Sequence, residues 1–325
     1  MNKNKFIFFV ALILVGLGVL LIWQSLQIGK FRFIACDVGQ GDGMMIIAPN
    51  GAEIVVDGGP GSRITDCLSR HMPLWDRTIE MVVLTHPHSE HMEGFLDIFN
   101  RYEVKTVLDT VAFNKTQLYQ RWIKVIGQSG AKIVHPYVGD EVKVGDVNFD
   151  IIWPPKDKAE IWKLSPPADL NDTSIVMRVS IPCHSRPDRE SIFLFAWILN
   201  KSAYFSLTQN QVEDDKAINC GGSGFCMYLT GDLPKEILGK IIPGKCQVLK
   251  VVHHGSRTGT DVRVLDAIDP QLAIIQVGAK NQYGHPHKEV LDALVAKGIK
   301  VLRNDANGEI EVDSDGTTWG VRSER

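Results

Sequence analysis

Thr85-His86-Pro87-His88-Ser89-Glu90-His91 places three imidazoles and a carboxylate within six positions. The residues just before it, 80–85, form a nearly continuous apolar run, the pattern of a strand covered on both faces. The cluster therefore emerges at the end of a buried strand, where uncompensated polar groups are costly. A His-x-His pair in an extended loop turns both rings to one side, and Glu90-His91 at a helix start faces a second position. Such nitrogen and oxygen donors suit zinc or manganese.

Two more apolar runs end the same way. Residues 227–230 lead into Gly231-Asp232, and residues 248–252 lead into His253-His254-Gly255-Ser256. Tyr283-Gly284-His285-Pro286, just before a predicted helix at 287–297, offers another imidazole. Further strands are predicted at 46–48, 52–57, 104–109, 131–153, 174–181 and 225–229, with turns at Pro49-Asn50-Gly51 and Gly145-Asp146. Helices are predicted at 92–102 and 118–127, the second with Leu118, Trp122, Val125 and Ile126 on one stripe. Strands and helices mix without strict βαβ alternation, which favours stacked sheets flanked by helices over a Rossmann fold. Gly39-Gln40-Gly41 lacks the third glycine of a dinucleotide loop.

With 325 residues and 44% hydrophobic content the chain is globular in composition. A net charge of −3 gives no global attraction to nucleic acid, so contact with DNA or RNA needs a local basic patch or bound cations. Residues 6–23 are uncharged and apolar, and as a helix would span about 27 Å, close to a bilayer core. Lys3 and Lys5 precede the run, which predicts a cytoplasmic N-terminus and an extracytoplasmic domain. Lys30 and Arg32 on the far side oppose this bias. A cleaved signal peptide, giving a secreted protein, is the rival reading, but no small-x-small site follows and Trp23 suits an interfacial anchor. The six cysteines form no CxxC pairs; Cys220 and Cys226 are candidates to close a small loop, or remain free thiols.

Taken in order, Asp37-Val38-Gly39-Gln40-Gly41-Asp42, Val56-Asp57-Gly58-Gly59-Pro60, the 85–91 segment, Asn171-Asp172-Thr173-Ser174, Thr230-Gly231-Asp232, 253–256 and 283–286 resemble the metallo-β-lactamase-like domain of the ComEC competence proteins. The resemblance covers about residues 31–312. It implies an α/β fold, the αββα sandwich of the metallo-β-lactamases, here preceded by one N-terminal transmembrane helix. Residues 1–30 would be anchor and linker, and 31–325 the hydrolase domain, with an insertion at about 183–225 that serves as a lid or partner surface.

By position, the resemblance implies that His86 and His88 bind one ion together with His253 or His254. Glu90, His91 and His285 would bind a second, and Asp232 would bridge. Asp37 and Asp57 would orient ligating imidazoles; Asp42 and Asn171 are weaker candidates with turn roles open. Asp232, Glu90 and His254 are the residues expected to carry catalysis. Two ions about 4 Å apart would polarise a substrate oxygen and lower the pKa of water to about 7. The implied substrate is a phosphodiester, DNA first, with Lys250, Arg257 and Lys280 as candidate phosphate contacts. Glu90 departs from the family's Asp, displacing the carboxylate by about 1.5 Å. That departure keeps a binding module of DNA uptake with a degraded site in play. A hydrolase of cell-envelope phosphoesters, such as phosphorylcholine on teichoic acid, is the other alternative.

Overall fold

The computed structural model describes residues 29–182, 205–209 (backbone) and 224–325, with scattered helical positions between 5 and 18. The predicted anchor and linker lie largely outside the described residues, as does most of the 183–225 insertion. No helix among the described residues is long and apolar enough to cross a membrane.

The first part of the chain runs β1 (Phe31–Ala35), β2 (Gly43–Ile47), β3 (Glu53–Gly58), α1 (Arg63–His71), β4 (Thr78–Leu84), α2 (Ser89–Met92), α3 (Phe95–Arg101), β5 (Glu103–Asp109), α4 (Gln117–Ser129) and β6 (Lys132–Val134). The second runs β7 (Asp140–Val144), β8 (Val147–Trp153), α5 (Lys156–Trp162), β9 (Val176–Ser180), β10 (Phe205–Gln209), β11 (Cys226–Leu229) and α6 (Lys235–Ile241). It continues through β12 (Val248–Lys250), α7 (Val262–Ile268), β13 (Leu272–Ile275), α8 (Lys288–Ala296) and β14 (Lys300–Arg303). A short α9 (Asn304–Asn307) leads back to β15 (Ile310–Ser314) and β16 (Trp319–Ser323).

The described strands form two eight-stranded sheets, ordered β16-β15-β1-β2-β3-β4-β5-β6 and β10-β7-β8-β9-β11-β12-β13-β14. Alternation along each strand sorts side chains between two cores. In β4, Met81 and Val83 face the other sheet, while Val82 and Leu84 face helices. Met177, Met227 and Ile274 meet them from the second sheet. Behind the first sheet α1, α3 and α4 bury Leu68, Phe95 and Trp122. Leu238, Leu265 and Leu294 of α6–α8 do the same behind the second. The result is the four-layer αββα arrangement that the motifs imply, and it explains the nearly continuous hydrophobicity of 80–85. Both faces of β4 are covered.

Local rules set the helices. Thr116 accepts a hydrogen bond from the Tyr119 N–H to start α4, and Gly130 in left-handed conformation (φ 75°) stops it. Within α4, Trp122 stacks on Phe95 at 5.3 Å and donates its Nε1–H to Asp109 at 3.2 Å. Trp122→Ala would cost about 3–5 kcal/mol. The predicted helix at 92–102 is two pieces, α2 and α3, separated at Glu93-Gly94. There Gly94 packs its backbone against the carbonyl of Gly58 too closely for a side chain.

Cys226 pairs with Cys246 rather than with Cys220, and Cys36 pairs with Cys67. Sequence proximity misleads here because β11 and β12 are parallel neighbours, which brings residue 246 beside the start of β11. Closing loops of 20 and 31 residues stabilises the fold by about 3–4 kcal/mol each.

Candidate metal centre

The functional side chains gather where both sheets present the C-terminal ends of strands: β3 and β4 from one, β11, β12 and β13 from the other. Asp57, in β3, organises the first side. Its Oδ1 accepts the Thr85 N–H at 2.8 Å, and its Oδ2 accepts the Thr85 hydroxyl at 2.8 Å and His91 Nδ1–H at 2.9 Å. With that proton given to Asp57, Thr85 Oγ1 is left to accept from His86 Nδ1–H at 3.0 Å. Both rings are thereby oriented with Nε2 toward the second sheet.

From the second sheet, Asp232 follows β11 and is held by its N–H donating to Ser174 Oγ at 3.1 Å. The Gln276 carbonyl at 3.0 Å can only accept, so His254 donates from Nδ1 and its Nε2 is free. Asp232 Oδ2 lies 3.4 Å from His91 Nε2, 3.6 Å from His253 Nε2, 3.6 Å from His254 Nε2 and 3.7 Å from His86 Nε2. Donors bound at about 2.1 Å in a tetrahedral set lie about 3.4 Å from one another. His86, His91 and Asp232, whose donor atoms all lie within 4.8 Å of one another, fit a shared ion, while His253 and His254 approach Asp232 without joining that close group. His86 Nε2, His91 Nε2, His254 Nε2 and Asp232 Oδ1 are buried without hydrogen-bond partners. Orphaned polar atoms in one place call for a ligand.

The electrostatics agree. Burial, with the charge of His91, keeps His86 well below the usual imidazole range. Burial also lowers His88 and His253 and, with His254 and His253 beside it, pushes His285 down to about 4. Burial opposes charge on His91, yet Asp232 and Asp57 hold it well above that range. Burial opposes ionisation of Asp232 too, but His254 and His91 hold it well below the usual carboxylate range. Neutral imidazoles and an ionised carboxylate are the forms that ligate, so His86, His88, His253, His285 and Asp232 are ready to bind, whereas His91 would release a proton to an incoming ion.

Asp57, His253 and His254 all have left-handed backbone, with φ of 57°, 50° and 53°. Gly41 is needed for another reason: its backbone is pressed against the Glu90 carbonyl, where a Cβ would collide. That approach brings the next residue, Asp42, under the site. Asp42 is fully buried, ion-paired with Lys250, and 3.2 Å from His254 Nδ1.

Among the sequence candidates, His86, His91, Asp232 and His254 form the buried inner set. His253 also reaches Asp232, so both members of the His-His pair face the centre, one buried and one partly exposed. His88 sits at the rim, its ring 4.7 Å from that of His86. The His285 ring is 5.7 Å from His253, and its Nδ1 is buried without a partner. Glu90 accepts from the Ser89 hydroxyl at 2.9 Å and stays outside the close donor groups of the described residues. Asp37 stands apart, 3.5 Å from Arg325, and Asp42 is the carboxylate of that loop that reaches the imidazoles. Lys250 is corrected: it is fully buried, with Nζ 4.0 Å from Asp232 Oδ1, and offers nothing to a phosphate from solvent. Arg257 and Lys280 are exposed. Ser174 entered the sequence reading only as the last residue of a motif, without a role, and Gln276 escaped it, because a hydroxyl and a backbone carbonyl carry no metal-binding signature of their own.

Searches with family models return no match for the chain. ComE operon protein 3 of Bacillus subtilis is 24% identical over 296 residues, covering 85% of this chain and 32% of that protein. Competence protein ComA of Neisseria gonorrhoeae is 34% identical over 107 residues, 30% of this chain and 16% of that protein. The chain carries a metallo-β-lactamase-like domain resembling ComEC. This ComEC-like domain spans about a third of the length of ComE operon protein 3 and less of ComA. Among solved structures, the metallo-β-lactamase fold protein YhfI of Bacillus subtilis aligns with TM-score 0.49 and 10% identity, over 90% of this chain and all of that one. A diphosphatase of the PhnP family aligns with TM-score 0.45 and 12% identity, over 87% and 98%.

Proposed function

We propose that this protein is a metal-dependent hydrolase of phosphodiesters, with DNA as first substrate, working in DNA uptake on the outer side of the cytoplasmic membrane. The observation that carries this reading is the convergence of four imidazole Nε2 atoms on Asp232 Oδ2 at 3.4–3.7 Å, three of them buried and unpartnered. A divalent ion, zinc or manganese, would supply polarisation of a phosphoryl oxygen and a nucleophile at neutral pH. The chain's own residues prepare for it. Asp57 and Thr85 set the rings of His91 and His86, the Gln276 carbonyl sets His254, and Ser174 holds Asp232. His88, Glu90, His253 and His285 at the mouth offer donors for a second ion. Arg257 and Lys280 stand in solvent, where a polyanion can meet them.

Two disulfides support a location outside the reducing cytoplasm, in keeping with the Lys3 and Lys5 flank of the apolar run. Protease added to intact spheroplasts is expected to digest the domain; full protection reverses the topology. For activity, the purified full chain is analysed for bound metal and assayed on a generic phosphodiester and on single- and double-stranded DNA. Bound metal with hydrolysis of both classes supports the reading. Cleavage of a phosphorylcholine ester alone would move the substrate to the cell envelope, and no bound metal would leave a binding module.

A further inference from the structure

The end of the first sheet opposite the metal centre carries its own pattern. β1, β3 and β4 run in the same direction: β1 and β3 are each antiparallel to β2, and β3 is parallel to β4. Their C-terminal ends deliver Asp42, Asp57 and His86 to the site, so their starts lie together at the far end. The described chain enters there, with the Gly29 N–H donating to the Pro49 carbonyl at 2.9 Å, beside the β2–β3 turn. The loop before β4 emerges at the same end, three strand spacings or about 14 Å from β1. At its tip Leu74 and Trp75 are 81% and 58% exposed. This exposure is built into a fixed turn. The Asp76 N–H donates to the Pro73 carbonyl at 2.9 Å, and Asp76 Oδ1 accepts the Thr78 N–H at 3.0 Å. At the same end stand Arg77, 5.6 Å over the Tyr102 ring, and Arg101 at the end of α3, while Arg70 in the last turn of α1 is ion-paired with Glu309 at 2.6 Å.

We propose that this end rests on the membrane, with Leu74 and Trp75 entering the headgroup region of an anionic bilayer and the metal centre facing away from it. The proposal rests on the anchored reading of residues 6–23, because that run joins the domain at the same end. An exposed tryptophan beside an apolar residue suits the interfacial belt, and Arg77 and Arg101 at the same end suit anionic headgroups. The bilayer is favoured over a protein partner because the preceding chain, itself apolar enough to insert, arrives on this side. Seven residues of β4, at about 3.3 Å each, then separate headgroups from metal centre by about 23 Å. A site so placed serves polymers in the aqueous space and is out of reach of lipid headgroups.

The test uses the full chain in vesicles of phosphatidylcholine and phosphatidylglycerol, with and without brominated acyl chains, which quench tryptophans at the bilayer. Trp23→Phe removes the anchor's own tryptophan and serves as reference. In that protein brominated lipid is expected to quench part of the emission, and in the Trp23→Phe, Trp75→Phe protein this quenchable part is lost. Equal quenching in the two overturns the proposal. Emission that ignores bromine but shifts with protein density in the vesicle overturns it in favour of a second copy on the patch. Flotation of the same samples separates the two readings. A chain that does not float with vesicles refutes the anchor, whereas one that floats without Trp75 quenching refutes only the docking.

Discussion

His91 and Glu90 are neighbours in sequence and occupy opposite circumstances. His91 is fully buried, its Nδ1 held by Asp57 and its Nε2 aimed at Asp232. Glu90 is partly exposed and turns its carboxylate to the adjacent Ser89. The same division runs through the whole constellation. The inner donors, His86, His91, His254 and Asp232, are each fixed by a group on a neighbouring strand or loop. The outer donors, His88, Glu90, His253 and His285, lie at the mouth with fewer constraints. Preorganisation by a second residue is what makes a donor set bind tightly, so the inner set should govern affinity and the outer set should adjust it.

The largest expected effect comes from breaking the inner set at its centre. Asp232→Ala should remove most bound metal and hydrolysis, more than the roughly 10–100-fold typical of a supporting residue, with circular dichroism unchanged. Unaltered metal content would refute the assignment of Asp232 as a ligand. Asp57→Asn tests the support itself, since asparagine tolerates the left-handed backbone there but no longer fixes the His91 ring as a carboxylate does. Metal affinity in a chelator competition should fall by about 10–100-fold; an unchanged affinity would mean that His91 holds its orientation without Asp57.

Asp109 sharpens the comparison from another side. Like Asp232 it is a buried carboxyl, but it has a Trp122 N–H in place of a ring of imidazoles, and burial raises it from 3.8 to about 7. A carboxyl raised in the folded state contributes its stability fully below the unfolded pKa and loses it as pH rises through the folded one. The native protein should therefore weaken between about pH 4 and 7 by on the order of 2 kcal/mol, within a ceiling of about 4. Asp109→Asn should flatten that slope in thermal melts, raising the midpoint at pH 8 and leaving it nearly unchanged at pH 4. Equal slopes in the two proteins would show that Asp109 ionises normally.

Glu90 should give the smallest effect. Glu90→Ala is expected to leave the inner ion in place and lower the stoichiometry by at most one ion per chain. Glu90→Asp draws the carboxylate back by about 1.5 Å; tighter binding would mean that the longer side chain overreaches, and looser binding that the loop has adapted to it. The same metal content in all three proteins would remove Glu90 from the ligand set.

Much of this was legible in residue order because the site is made at strand ends. An apolar run that stops abruptly in His or Asp predicts both a buried strand and a donor, as β4, β11 and β12 show. Helix α4 was legible from its stripe of Leu118, Trp122, Val125 and Ile126. Helix α1 was not, because four of its nine residues are charged or histidine and it buries only a narrow face. Cys246 gave no sign of its partner, since disulfides follow spatial neighbours. Lys250 misled for a similar reason: a lysine near a metal motif reads as a phosphate contact until burial and Asp42 are seen. Asp37 and Asp42 lie in one motif, and only the folded loop, with Gly41 against the Glu90 carbonyl, reveals which of them turns inward.

The left-handed backbone at Asp57, His253 and His254 bears on how this domain would respond to a search for heat resistance. For a residue with a side chain this conformation costs about 1–2 kcal/mol, a penalty glycine escapes. At partly exposed His253 the relief is not offset by buried hydrogen bonds, so His253→Gly would be among the first substitutions recovered from a thermal screen, with the melting point raised and the donor set damaged, whereas at Asp57 the three buried hydrogen bonds outweigh it. An easy gain in robustness thus lies at a residue the chemistry can ill spare.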